Sequence, residues 1–166
     1  MAWTTPKTWN VGEVLTASNM NVQVRDNLNY LYSKTPSYYN AKPSNPSSTS
    51  SATGVMAGLA GSITPSNSGR VVFMAYGYSA ASGGGSKTYL DIRYGTGSAP
   101  SNGAAPTGTS ATQGWTYAPN FASFNVLGYA TSLSVGTTYW WDISFANDNG
   151  AGTSTLQQIV LVANES

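Results

Sequence analysis

Residues 139–147, Tyr-Trp-Trp-Asp-Ile-Ser-Phe-Ala-Asn, decide the fold that the sequence predicts. Every second residue from Trp141 to Phe145 is large and apolar, and the polar residues Asp142 and Ser144 lie between them. Because successive side chains of a β-strand point to opposite faces, this alternation places the apolar residues together on one face. The stretch therefore predicts a strand with one buried face and one face in water.

The same period of two recurs along the distal part of the chain. Leu90, Ile92 and Tyr94 alternate with charged residues, whereas residues 70–78 and 159–163 are apolar on both faces. Further strands are expected near residues 55–63 and 121–133, and Gly-, Ser- and Asn-rich turns separate these stretches. Six or more short strands without intervening helices predict an all-β fold, an antiparallel β-sandwich of jelly-roll type.

One helical pattern precedes the strands, at residues 16–34. Thr16 or Ser18 can accept a hydrogen bond from an amide of the first turn and so begin the helix. Apolar residues then recur at spacings of four and three, which favours either packing on the helix's own domain or a short homotypic bundle. The predicted oligomerisation stripe consists of Asn21, Val24, Leu28 and Leu31.

These patterns divide the chain into three segments. Residues 1–34 form an attachment arm and oligomerisation helix, residues 35–53 a polar linker rich in Pro and Ser, and residues 54–166 a β-sandwich head. The polar linker would let the helix stand apart from the head, which favours the homotypic bundle.

The composition excludes several classes of function. Of 166 residues only 8% are charged, the net charge is +1, and neither His nor Cys is present. Nucleophilic sites that pair Ser or Cys with His, His/Cys zinc sites and disulfides are thereby excluded, and we expect no metal or cofactor. The weak charge offers no field for phosphate or anionic lipid, so we expect neither nucleic acid nor membrane as partner. The first seven residues lack a signal-peptide pattern, so we expect folding in a cytoplasm.

The acidic residues do not suggest an enzyme. Asp91 and Asp142 are expected in mid-strand on exposed faces, where they could be neighbours, but a cross-strand pairing with Arg93 explains Asp91 equally well. Residues 147–150, Asn-Asp-Asn-Gly, offer oxygen ligands but lack the acids of a specific calcium loop, and they predict a hairpin turn.

Large aromatic side chains are the remaining candidates for binding. Alternation places Trp140 and Trp141 on opposite faces, so one of them is expected to leave the domain's own core. Exposed aromatic rings serve as subunit interfaces or as platforms for sugar rings. The candidates for either role are Trp115, Tyr117, Tyr139 and Trp140.

The two ends of the chain resemble a known group of proteins. Trp3-Thr-Thr-Pro-Lys-Thr-Trp9, Gly12-Glu-Val-Leu-Thr-Ala-Ser18 and Arg25-Asp-Asn-Leu28 resemble the N-terminal signature of tailed-phage virion proteins. Arg93-Tyr-Gly-Thr-Gly97 and Gly136-Thr-Thr-Tyr-Trp140 in the distal half are similar to the same group. The resemblance implies a trimer of β-sandwich heads, anchored to the virion by the N-terminal segment, and it carries no catalytic residues.

The expected function is that of a non-enzymatic virion surface protein, assembled in the host cytoplasm. It would be a homotrimeric capsid decoration (cement) protein or short head fibre, bound to the major capsid protein or to a tail or fibre component. Trp3, Pro6 and Trp9 are the expected anchoring residues. The alternative is a tail-fibre tip or lectin-like protein that recognises a host surface glycan.

Overall fold

The chain folds into two compact units. The computed structural model describes residues 4–33, 38–41, 43–83, 87–117, 119–148 and 150–166. The units comprise Met1–Thr35, here called the N-terminal unit, and Pro36–Ser166, here called the head.

A helical segment follows the arm of the N-terminal unit. It consists of α1 (Ala17–Met20), a π-helical segment (Asn21–Asp26) and α2 (Asn27–Ser33). Thr16 is its N-cap, since its backbone is extended and its hydroxyl accepts a hydrogen bond from the backbone N–H of Asn19 at 3.2 Å. The predicted short N-terminal helix is confirmed.

The π-helical segment changes the phase of the helix. In a π turn each N–H bonds to a carbonyl five residues earlier, so a turn holds more residues than an α turn does. Side chains before the segment therefore do not continue the α-helical spacing of those after it. Asn21 is consequently out of phase with Leu28 and Leu31, and the single stripe predicted from α-helical spacing is interrupted.

The arm runs back along the helix and is held there by polar contacts. The side-chain amide of Asn27 accepts a hydrogen bond from the Thr4 backbone N–H and donates one to the Thr4 carbonyl, both at 3.0 Å. The side chain of Gln23 accepts a hydrogen bond from the backbone N–H of Lys7 at 2.7 Å. These bonds order the arm within its own unit.

Within the described residues, nine strands build the head. They are β1 (Tyr38–Ala41), β2 (Val55–Met56), β3 (Gly61–Ile63), β4 (Val71–Ala81), β5 (Lys87–Gly95), β6 (Thr109–Tyr117), β7 (Ala122–Ala130), β8 (Tyr139–Asn147) and β9 (Ser154–Glu165). One sheet has the order β1-β9-β4-β7 and the other the order β2-β8-β5-β6, and β3 also pairs with β8. All these pairs are antiparallel. With β2 and β3 counted as one interrupted strand, this is the order of a jelly roll, so the predicted fold class is confirmed.

Aromatic rings from both sheets meet in the core of the head. Trp141 on β8 and Phe73 on β4 are fully buried, with ring centroids 5.3 Å apart. Tyr94 stacks on the same Phe73 ring at 5.6 Å, and Tyr39 contacts Trp141 edge-on at 5.9 Å. These contacts join β1 and β4 of one sheet to β5 and β8 of the other.

Part of the predicted 35–53 linker belongs to the head. Residues 38–41 form β1, an edge strand paired with residues 161–164 of β9, and Thr49 forms a further bridge to Ser154. The interpretation of this whole segment as a linker was wrong, because a partner strand more than 100 residues away supplies the pairing that the local sequence does not indicate. Residues 35–37 and 42 of this segment lie outside the described residues.

Candidate functional site

The arm carries the residues predicted to anchor the protein. Lys7 forms an ion pair with Glu13, which lowers the pKa of that carboxyl below its usual value, and its Nζ lies 5.0 Å from the centroid of the Trp9 ring. Trp9 nevertheless remains 39% exposed, and Pro6 is exposed. Trp3 lies outside the described residues.

The predicted oligomerisation residues all face solvent in the single chain. Val24, Leu28 and Leu31 are 41%, 60% and 56% exposed, and Asn21 is exposed as well. They do not pack on an apolar surface of their own unit. They are therefore available to a partner.

Exposure of apolar side chains extends through residues 4–31 of the N-terminal unit. Among these residues only one is buried, and it is the polar Asn27, 5% exposed. Within this range the apolar burial that normally stabilises a fold is absent. Sequence reasoning missed Asn27, because a single Asn within a helix gives no signal that it will bind the arm. The other exposed large apolar residues are Val11, Val14, Leu15, Met20 and Val22.

The four aromatic candidates in the head have different environments. Trp115 and Tyr117 on β6 are 58% and 55% exposed, which suits either predicted role. Tyr139 is half-buried, packs against the core and accepts a hydrogen bond from the Ser134 N–H at 3.0 Å. Trp140 is buried. The set is thus divided, and only its β6 members present their rings to solvent.

Trp140 points away from the sandwich core, as alternation predicts, yet the segment that follows β5 covers it. Its Nε1 donates a hydrogen bond to the Thr96 carbonyl at 3.1 Å. Its ring lies so close to Gly95 and Gly108 that a Cβ on either residue would approach it to 2.7 and 2.5 Å. The candidate role of Trp140 as a glycan or interface residue is therefore wrong for this fold.

The exposed aromatic residues adjoin a groove on the outer face of the β2-β8-β5-β6 sheet. The groove has a volume of about 240 Å³, and Tyr89, Asp91, Arg93, Gln113 and Ser144 contribute to its lining. Tyr89 lies directly opposite Trp115 in the β5–β6 pair and is 43% exposed. Because Leu90 and Ile92 are expected on the buried face, alternation places Tyr89 on the opposite, outer face. The sequence could therefore have predicted Tyr89 as a further exposed aromatic residue.

A buried ion pair forms the floor of the groove. Arg93 Nε lies 2.7 Å from Asp91 Oδ2, and the Ser110 hydroxyl donates a hydrogen bond to Asp91 Oδ1 at 2.6 Å. Arg93 Nη1 donates to the Gly108 carbonyl at 3.0 Å. Asp91 and Arg93 are thus in contact, but within β5 rather than across two strands as expected, and the neighbouring hydrogen bonds fix the orientation of both side chains.

Asp142 occupies a structural position beneath the same face. It lies opposite Arg93, so it is a diagonal neighbour of Asp91, as expected, but both carboxylates are buried rather than exposed. Backbone N–H groups of Gly58, Leu59 and Ile143 donate to Asp142 at 2.7–3.2 Å. Burial outweighs these bonds and raises the pKa of Asp142 to about 6. A carboxylate so enclosed has no access to a substrate.

Glu165 is a second buried carboxylate with a structural environment. The backbone N–H groups of residues 66–69 donate to it at 2.6–3.3 Å. Such a concave array of amides binds an anion strongly. Glu165 thereby fixes the turn between β3 and β4. Among the described residues, no three acidic side chains cluster as metal ligands would.

The outer face of the other sheet is uncharged and mixes apolar with neutral polar side chains. On β4, β7 and β9 no outward-pointing side chain is charged, and Met74 lies between Val162 and Leu127 across the three strands. Leu127 and Tyr129 on β7 are 54% and 68% exposed. A sheet face of this character is suited to contact with another protein surface.

Comparisons with known proteins do not assign the chain. No protein-family model matches it, and no curated protein shows significant similarity to it. Of the helices within the described ranges, none has the length and apolar character needed to cross a membrane.

Proposed function

We propose that the chain is a non-enzymatic surface protein of a phage virion, attached to the particle through its N-terminal unit. In this proposal it is a homotrimeric decoration protein or short head fibre. The major capsid protein or another virion component binds the arm, and the head is displayed.

The exposure of apolar residues in the N-terminal unit is the observation that carries the proposal. Val11 and Leu15 on the arm and Leu28 on the helix are more than half exposed, while Asn27 is the one buried residue among residues 4–31. Transfer of such side chains out of water is favourable, by roughly 25 cal/mol per Å² of apolar surface. A partner surface that covers them would provide the apolar burial that the unit lacks.

Two features support self-association. The helical segment over residues 17–33 is interrupted by six π-helical residues, and most helical stability in proteins comes from packing of an apolar face on a partner surface. The uncharged outer face of β4, β7 and β9 offers the head a second surface for contact with copies of itself. A low charge also weakens repulsion between copies.

Particle retention tests the attachment. Deletion of residues 1–15 removes the apolar part of the arm and should abolish co-sedimentation with virions, while circular dichroism of the head stays unchanged. Trp115→Ala, which alters an exposed ring of the head, is the matched control and should co-sediment at full occupancy. Full occupancy by the deletion variant would refute attachment through the arm.

Light scattering tests the trimer. The wild-type protein should show a mass of three chains, and the double variant Leu28→Ser, Leu31→Ser should show a mass of one. Asn29→Ser, an exposed residue on the same helix, should remain trimeric. If the helix variant stays trimeric and Leu127→Asp dissociates it, the head rather than the helix forms the trimer. A wild-type mass of one chain would contradict the trimer itself.

The environment of the acidic residues supports a non-enzymatic role. Asp91 is paired with Arg93, Asp142 with three backbone amides, and Glu165 with the 66–69 turn. Each of these carboxyl groups is thus engaged by contacts within the head. Loss of a capsule-degrading activity in Asp91→Asn would overturn this part of the proposal.

A second candidate function is recognition of a host glycan by a tail-fibre tip or lectin-like head. The specific observation that favours it is the exposure of Trp115 and Tyr117 beside the groove.

A further inference from the structure

We infer that the groove on the outer face of β5, β6 and β8 binds one neutral pyranose unit of a saccharide, with Tyr89 as its apolar side and Gln113, Asp91 and Ser144 as its polar side. Trp115, the cross-strand neighbour of Tyr89, extends the aromatic surface at the edge of the groove. The inference deepens the second candidate function by giving it a defined site and ligand class. It does not require that the chain be carried on a virion.

The strand register sorts the groove into two parallel rows of side chains. Across β6, β5 and β8 one row reads Trp115, Tyr89 and Ala146, and the next reads Gln113, Asp91 and Ser144. Two residues along a strand span about 7 Å, so an aromatic row lies next to a polar row at this spacing. A pyranose ring has the matching division, since its C–H groups form an apolar face and its hydroxyl groups project from the rim.

The polar row can pair with hydroxyl groups in both directions. Ionised Asp91 accepts only, whereas the Gln113 amide and the Ser144 hydroxyl each donate and accept. Asp91 accepts a hydrogen bond from Ser110 and forms an ion pair with Arg93, and a carboxylate has further lone pairs. A sugar hydroxyl, which is both donor and acceptor, suits this set better than an apolar ligand does.

The charge of the floor favours a neutral ligand. Asp91 and Arg93 neutralise each other at 2.7 Å, and their side chains are only 12% and 21% exposed. The nearby cation Lys87 has its Nζ 4.7 Å from the centroid of the Trp115 ring, on the side of the aromatic row away from Asp91. The groove itself therefore has no unpaired charge to select an acid sugar.

The size of the groove limits the ligand to a single ring. Its volume of about 240 Å³ is below the roughly 300–1,000 Å³ of pockets that enclose drug-sized molecules. Trp115 lies opposite Tyr89 and is more than half exposed, so it can contact a neighbouring unit of a longer chain. One bound unit with a second at the aromatic edge is the expected footprint.

Ligand-observed NMR on the full-length protein tests the inference. The probes are free methyl glycosides of glucose, galactose, mannose and N-acetylglucosamine, with glucuronic acid and N-acetylneuraminic acid as anionic counterparts. At least one neutral glycoside should show saturable transfer from the protein. Tyr89→Ala and Trp115→Ala should each weaken its binding about fivefold or more, because each removes an aromatic contact.

Two further variants separate a binding role from a structural one. Tyr89→Phe keeps the ring and should retain binding, and Tyr76→Ala should have no effect. Tyr76 matches Tyr89 in exposure, 41% against 43%, but lies on the outer face of the other sheet. Circular dichroism should be the same for all four variants.

Three results would overturn the inference. They are a lack of saturable binding by every neutral glycoside, binding that Tyr89→Ala and Trp115→Ala leave unchanged, and binding of the acid sugars alone. None of them bears on attachment through residues 1–15, which the particle assay measures. Conversely, glycoside binding by a protein that fails to co-sediment would refute the virion proposal and leave the groove assignment intact.

Discussion

The N-terminal unit and the head differ in the burial of their apolar side chains. In the head, Trp141, Phe73 and Leu161 are fully buried between two sheets. In the N-terminal unit, Leu28 and Leu31 are more than half exposed, and a polar residue is the only buried one among residues 4–31.

The difference shows that one chain can combine a self-sufficient fold with an incomplete one. The head satisfies its buried carboxylates with backbone amides and its apolar residues with one another. The N-terminal unit orders its arm by polar contacts and leaves its apolar residues outward. Substitutions should therefore affect stability in the head and association in the N-terminal unit.

The largest contrast is expected between two apolar truncations. Trp141→Ala should destabilise the head by about 3–5 kcal/mol, because it opens a cavity in the core. Leu28→Ala should change the free energy of unfolding of the head by less than about 0.5 kcal/mol, as exposed substitutions usually do. Urea denaturation followed by tryptophan fluorescence measures both. Equal effects would show that the helix is part of the head's cooperative fold.

The pH dependence of stability provides a second comparison, between a buried carboxyl group of the head and one on the arm. The pKa of Asp142 is raised from 3.8 to about 6, so the folded head holds this proton more tightly than the unfolded chain does. The resulting stabilisation is fully present below pH 3.8 and is lost as the pH rises through 6. Relative to Asp142→Asn, wild-type stability should fall by about 2–3 kcal/mol between pH 4 and pH 7.

Glu13 on the arm provides the control residue for this pH series. Glu13→Gln should follow the wild-type pH dependence of head unfolding, because this carboxyl is half-buried in the N-terminal unit and lies outside the head. A constant difference between wild type and Asp142→Asn across the range would contradict the raised pKa.

Loss of the charge at Glu165 should have an intermediate effect. Glu165→Gln replaces a carboxylate that four backbone amides contact with a neutral amide whose NH₂ group cannot accept their hydrogen bonds. We expect a loss of about 2 kcal/mol, typical of hydrogen bonds to a charged group. Thermal unfolding of Glu165→Gln measures the effect of losing the negative charge. The same measurement on Glu165→Asp measures the effect of shortening the side chain while the charge is kept. If Glu165→Gln melts at the wild-type temperature, the hydrogen bonds between Glu165 and the 66–69 turn do not stabilise the head.

The smallest effect on stability is expected at Asn27. Asn27→Ala removes both hydrogen bonds to Thr4 and should cost about 1 kcal/mol within the N-terminal unit. Faster amide exchange at Thr4 and faster proteolysis of the arm should follow, while head unfolding stays constant. Asn29→Ala, an exposed neighbour, is the control and should leave the arm protected.

Alternation predicted the central strands because the side chains on their two faces differ in polarity. The prediction that one face of residues 139–147 lies in water was wrong, because residues 140–147 are buried on both faces of β8. Residues 139–147 and 87–95 each carry apolar side chains toward the core and polar or aromatic ones outward, and both form strands as predicted. Strand β6, Thr109–Tyr117, was not predicted, because it is an edge strand whose side chains are half-buried or exposed and show no apolar period. Strand β1 was missed because its pairing with β9 is entirely non-local.

The candidate site residues were also predictable only where alternation within one strand decides their exposure. The exposed positions of Trp115 and Tyr117 agree with the sequence, and Tyr89 follows from the same alternation. The burial of Trp140 could not be predicted, because it depends on Gly95 and Gly108 in a segment far from it in the chain. Contacts between distant segments have no periodic signal.

The position of β9 has a consequence for synthesis of the protein. This strand comes last of the nine in chain order, yet it lies between β1 and β4 in the middle of its sheet. A ribosome must therefore deliver residues 154–165 before the sheet can close. A chain terminated earlier leaves β1 and β4 with unpaired edges, which invite aggregation and proteolysis. Only chains translated through their last strand can produce a folded head, so the topology itself selects against prematurely terminated copies.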